Sequence, residues 1–232
     1  MNRARTLAAA AVVPCLLATV AAGTAAGAAR ADAPAPVAAP AERPSVPHCI
    51  TMDGTDLNEF YDVKYRIIGP STCRTAVRGE KWVRTVSPWF TAPGAAGAVY
   101  PEGYRPSRPA PIDDFNSKFV SATYVQDRGT DQEKSITFKK KEVLRTGFTD
   151  PTGLPFSTVV SAPLKSLDVG PHTSTVLFTL KAEHCDGLGT VREENCLPAG
   201  TFLWAVDTPF EVVPRPGQAA APAKHAAAPR RG

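Results

Sequence analysis

From Leu167 to Val213 the chain reads LDVGPHTSTVLFTLKAEHCDGLGTVREENCLPAGTFLWAVDTPFEVV. After Thr173 the residues alternate. Val176, Phe178, Leu180 and Ala182 fall on one face, and Thr175, Leu177, Thr179, Lys181 and Glu183 on the other. A period of two marks a strand with one buried side. The alternation resumes after Cys196, with Phe202, Trp204 and Val206 opposite Asp207, and a last run, Phe210 to Val213, stops before Pro214. Cys185 and Cys196 stand at the facing ends of the two strands, so a bridge between them would staple a hairpin with a long tip.

Working outward, strand signals recur. Phe60 to Ile68 is aromatic and branched and ends at Gly69-Pro70; Lys81–Val86, Phe119–Val125, Ser135–Phe138, Glu142–Arg145 and Phe156–Val160 follow. No apolar stripe of helical period has useful length, although Thr55 to Tyr61 has room for a helical turn. Short strands separated by turn residues predict an antiparallel β-sandwich over residues 47–213. The segment from Pro88 to Ser117 interrupts this rhythm. It carries six prolines together with Trp89, Phe90, Tyr100, Tyr104 and Phe115. A loop this long inside a compact domain is functional or disordered, and its aromatics favour a segment laid over a sandwich face.

The corner Leu167-x-x-Gly170-x-His172 resembles the one that leads into the penultimate strand of many immunoglobulin-like domains, where a ring hydrogen-bonds back across the turn. Tyrosine is the commoner ring there, so the match is partial. The resemblance implies an immunoglobulin-like fold class, and with the strand pattern, the insertion and the composition of the ends the expectation is an all-β, antiparallel immunoglobulin-like β-sandwich with a long Pro-rich insertion and disordered termini. It implies no activity, because such sandwiches host many functions.

The ends read differently. Arg3 and Arg5, an apolar run from Leu7 to Ala22 and small residues up to Ala31 predict a signal peptide over residues 1–31. Residues 32–46 form a Pro/Ala-rich linker and residues 214–232 a basic Ala/Pro-rich tail, both too poor in apolar bulk to fold. The formal charge of +4 resides in these ends, since the leader carries three arginines and the tail +4, leaving the stretch between them at −3. Such a body is not a nucleic-acid binder. The expected protein is secreted, extracellular or cell-surface associated, with no transmembrane anchor after processing.

Beyond the leader four cysteines remain, an even number that predicts two disulfides in an exported chain. Sequence proximity favours Cys49–Cys73 and Cys185–Cys196, each contributing about 3 kcal/mol through loop-closure entropy. The absence of any C-x-x-C pair argues against zinc. No G-x-S-x-G, P-loop or dinucleotide fingerprint is present. His172 reads as the corner residue, while His48 and His184 each precede a cysteine. Asp53–Glu59 and the loop acids Asp186, Glu193 and Glu194 offer oxygens for calcium, but side-chain-stabilised turns account for them equally. The run Lys139–Lys141 reads as a solvated turn or a charged strand edge.

The expectation is therefore a non-enzymatic binding or structural module without cofactor or metal. Its candidate ligand-binding residues are Trp89, Tyr100, Tyr104 and Asp186, and its partner a cell-envelope glycan or another extracellular protein. A small extracellular hydrolase or metal-dependent enzyme on the same sandwich is the first alternative. A proteinaceous inhibitor using the Cys185–Cys196 loop is the second.

Overall fold

The computed structural model describes residues 48–217. The leader, the linker and the tail beyond Gly217 lie outside the described residues. The described part is mostly strand. A five-stranded sheet has the order β2 (Thr75–Val77), β12 (Gly200–Val213), β9 (Gly170–Leu180), β5 (Phe119–Gln126), β6 (Lys134–Lys139). All its pairs are antiparallel except β2, which runs parallel to β12. Opposite it, β4 (Trp89–Phe90) and β7 (Leu144–Thr149) flank β8 (Pro155–Val159). Bridges Trp82–Leu164 and Thr85–Val160 carry β3 (Trp82–Arg84) onto the continuation of β8, and β1 (Arg66–Ile68) lies parallel on β3.

The two layers share one interior. Tyr124, Val176 and Phe178 from the five-stranded sheet meet Val86 and Val159 from the other, with Phe115 at one end. A second cluster joins Trp82, Ile68 and Leu164 to Phe210 and Val212, and the Trp82 and Phe210 rings lie 5.1 Å apart. Each such side chain stabilises the fold by roughly 1.5–3 kcal/mol through removal from water. In β9 the alternation holds: Val176, Phe178 and Leu180 are buried.

β12 departs from its pattern. Register shifts between Leu203 and Ala205 and between Ala205 and Thr208 insert extra residues opposite β9. Bulges of this kind turn side chains to the other face. Val206, expected beside Phe202 and Trp204, is 67% exposed. Trp204 stays inward, stacked 4.7 Å from Phe178.

Three other segments differ from the sequence expectation. Phe60–Ile68 is a strand only from Arg66; before it, Asp56 caps the helical turn α1 (Leu57–Phe60) by accepting from the Asn58 and Glu59 N–H groups. The Phe60 ring stacks on Phe148 instead of extending a sheet. Within the insertion, Pro111 opens α2 (Pro111–Lys118), where its missing N–H is harmless and Asp113 and Asp114 favour the helix N-terminus. The lysine run ends edge strand β6 and enters the one-turn α3 (Lys140–Val143), which crosses to β7 in the opposite layer.

Both disulfides pair as expected, Cys49 with Cys73 and Cys185 with Cys196. The second joins directly opposed residues of β10 (His184–Cys185) and β11 (Cys196–Leu197). Among the described residues no helix is long and apolar enough to cross a membrane.

Candidate functional site

The proline-rich insertion and the disulfide-bounded loop meet at one end of the molecule. The Ala92 N–H donates to the Asp186 carbonyl at 2.9 Å, and the Val99 N–H to the Gly187 carbonyl at 2.8 Å. Gly187 makes this approach possible. Its φ is +79°, and a Cβ there would lie 3.0 Å from the Ala98 Cβ and 3.1 Å from the Pro111 Cγ. Arg192, on the short helix α4 (Arg192–Asn195), donates to Glu183 at 2.5 Å and to the Glu102 carbonyl at 3.0 Å.

Beneath these loops the Asp114 side chain turns inward from the first turn of α2 and is fully buried. Its Oδ1 accepts from the Ser107 N–H at 2.6 Å, the Ser107 hydroxyl at 2.7 Å and the Arg108 N–H at 3.3 Å. Its Oδ2 accepts from the Tyr104 hydroxyl at 2.7 Å, Lys118 Nζ at 2.7 Å and His184 Nδ1 at 2.9 Å. Lys118, one helical turn on, also donates to the Tyr104 hydroxyl at 3.0 Å. One carboxylate therefore ties together the insertion, α2 and β10.

Electrostatics follow from burial. Desolvation would raise the Asp114 carboxyl, but hydrogen bonds from His184, Lys118, Ser107 and Tyr104 outweigh it and hold the group well below the usual carboxylate range. Burial raises the Tyr104 phenol, and its bond to Asp114 raises it further. Burial lowers His184 more than Asp114 restores it. Lowering of this kind favours the uncharged imidazole, whose Nδ1 lies 2.9 Å from the carboxylate. Its Nε2 is buried without a hydrogen-bond partner among the described residues. The ring lies 5.4 Å from Phe115 and 6.1 Å, edge-on, from Trp89.

The four candidate ligand-binding residues all belong to this end, in unequal roles. Tyr104 is only 6% exposed and bonded to Asp114, and Asp186 is buried, accepting from the Leu188 N–H at 2.8 Å. Desolvation raises the Asp186 carboxyl. Trp89 is half-buried against Trp204, and the half-buried Tyr100 ring lies 5.2 Å from Tyr104. Three aliphatic side chains of these loops are exposed, Val99 at 51%, Leu188 at 47% and Val191 at 47%, among exposed charged residues such as Glu102, Arg105, Glu193 and Glu194. Val99 and Leu188 are bridge partners. In the sequence only the i, i+4 spacing of Asp114 and Lys118 signals this pair.

The other candidates serve turns. Asp53 accepts from the Thr51 and Thr55 hydroxyls, and Asp56 caps α1 while pairing with His48 at 2.5 Å. His48, Asp56 and Glu59 are close enough to share an ion, and all three lie at or near the surface. Glu183 lies beside Cys185 and Cys196, but sulfurs joined in a disulfide cannot act as thiolate ligands. At the corner, His172 Nε2 hydrogen-bonds back to the Asp168 carbonyl at 2.9 Å, and Nδ1 meets Asp127 Oδ2 at 2.8 Å.

The chain matches no protein-family model, no curated protein and no solved structure.

Proposed function

We infer that the protein is an exported, immunoglobulin-like β-sandwich that acts as a non-enzymatic binding module, and that it engages another extracellular protein through its loop end. Support for the fold reading comes from the five-stranded order, from β2 running parallel to β12, and from the corner bond of His172. One feature departs from that pattern: β1 runs parallel to β3. Two disulfides agree with an oxidising compartment.

The observation that carries the binding role is the exposed bridge pair Val99 and Leu188, with exposed Val191 three residues on, all on loops that are locked from beneath. Preorganised loops lose little entropy on association. Aliphatic side chains suit a protein surface, whereas glycan stacking needs open aromatic faces, and here Tyr104 is buried and Trp89 and Tyr100 are half-buried. The inhibitor alternative is less favoured, because α4 makes part of the Cys185–Cys196 loop helical where a protease cleft takes extended chain.

Photo-crosslinking on the surface of the producing cell tests this reading, with a benzophenone side chain placed at Leu188 or, as control, at exposed Thr137. A discrete protein adduct from position 188, absent from 137 and lost with Val191→Asp, is expected. Equal adducts from both positions, or retention on insoluble envelope polysaccharide unaffected by Val191→Asp, would overturn it.

A further inference from the structure

Away from the Asp114 cluster, a cavity of about 370 Å³ opens where the β3–β4 connection passes β12, bounded also by α1 and the turn after β1. Two arginines, Arg74 and Arg84, line it, and no aspartate or glutamate does. Neither guanidinium has a carboxylate within 4.0 Å among the described residues. Arg84 is 3% exposed. Its Nη1 donates to the Ile68 carbonyl at 3.4 Å and to the Thr85 carbonyl, and its Nη2 to the Thr208 hydroxyl at 2.7 Å. Its Nε is buried without a partner among the described residues.

This is an uncommon arrangement. A buried cation without a counter-charge is strongly unfavourable, and here a second cation shares the wall. Burial pulls the Arg84 guanidinium down to about 10, and Arg74 works in the same direction against Tyr124. Arg84 nonetheless stays charged at neutral pH. Its Nε is closed off from solvent, so an anion in the cavity meets Arg84 through the remaining atoms that line it. Gly69 lets the guanidinium in, since a Cβ there would lie 2.6 Å from Arg84 Nη1 and 2.5 Å from the Thr85 carbonyl oxygen. The rest of the wall is largely apolar, with Leu57, Tyr61, Val86 and Ala205.

We propose that this cavity binds a small organic carboxylate, its charge held by Arg84 and Arg74 and its apolar body by Leu57, Tyr61, Val86 and Ala205. An inorganic oxyanion would satisfy the arginines and leave the apolar wall unused. The volume lies in the range of small-ligand pockets. The same carboxylate chemistry is offered by a free organic acid and by the C-terminus of a peptide.

Isothermal titration of the oxidised full chain tests the proposal with benzoate, hexanoate and inorganic phosphate at matched ionic strength. A leucine-terminated peptide and its C-terminal amide form a separate arm. Saturable one-to-one binding of benzoate or hexanoate identifies a free acid. Binding of the peptide acid but neither its amide nor the small acids identifies a chain terminus. In either case Arg84→Gln weakens binding at least about tenfold. Arg74→Gln gives the corresponding loss should Arg84→Gln fail to fold. Binding of phosphate alone, carboxylate binding indifferent to both substitutions, or no saturable heat with any probe on the wild type would overturn the proposal.

Discussion

Replacing Asp114 by asparagine tests whether one carboxylate holds the loop end together. The side chain is fully buried and accepts six hydrogen bonds, one from Lys118, which is itself only 4% exposed. Asparagine keeps an oxygen for some of these donors. Its amide nitrogen, however, would face Lys118 Nζ or His184 Nδ1–H, donor against donor, and the lysine would remain buried without its counter-charge. Breaking a buried pair in this way destabilises by about 3–5 kcal/mol, a large part of the roughly 5–15 kcal/mol that holds a typical domain folded. For a domain of this size that lowers the melting temperature by on the order of 10 °C. Urea denaturation of the oxidised protein measures it. Converting Asp114→Leu, Lys118→Met and His184→Phe together should recover part of the loss, because no uncompensated charge remains. The pH dependence follows the same logic. The folded carboxyl titrates below its unfolded value of roughly 3.9. Its contribution is present above that value and disappears as pH falls towards the folded one, so Asp114→Asn should flatten the acid limb. A loss under about 1 kcal/mol for Asp114→Asn would refute the reasoning, since it would mean that the cluster is solvated or that its charges do not depend on one another.

His184 supplies a second window. Its folded value is lowered by burial, so below the unfolded value of roughly 6.5 the unfolded chain takes up a proton that the folded chain refuses. Stability should therefore fall as pH drops from 7 towards 5, and His184→Gln should remove that slope from the urea midpoints; an unchanged slope would mean that the imidazole charges in place. Removing the second disulfide by Cys185→Ser and Cys196→Ser should cost about 3 kcal/mol by loop-closure entropy. Chemical denaturation reads it directly, and an unchanged midpoint would show that the hydrogen bonds to the insertion suffice to hold the loop.

The sequence by itself determined what depends on local pattern and chemical identity. The alternation of Val176, Phe178 and Leu180 specified a strand and its buried face, because side chains on a strand alternate sides whatever their neighbours are. Spacing along the chain singled out both cysteine pairs, and Leu167, Gly170 and His172 marked a corner whose ring does bond back across the turn. Tertiary structure decided the rest. The bulges that turn Val206 outward come from matching β12 to β9, an interaction between strands that β12 alone does not encode. Tyr104 reads in the sequence as a candidate ligand-binding residue on a segment laid over a sandwich face, yet its hydroxyl is drawn inward by Asp114. Asp114, Lys118 and His184 were ordinary surface-type residues until α2 and β10, 70 residues apart for Asp114 and His184, were brought together. The same holds for Arg84, which belongs to a short strand signal in the chain and becomes a buried cation with no carboxylate partner among the described residues only when β12 and the turn at Gly69 close around it. Burial and charge pairing arise between distant segments, and that is the physical reason the candidate sites were less legible in the sequence than the strands.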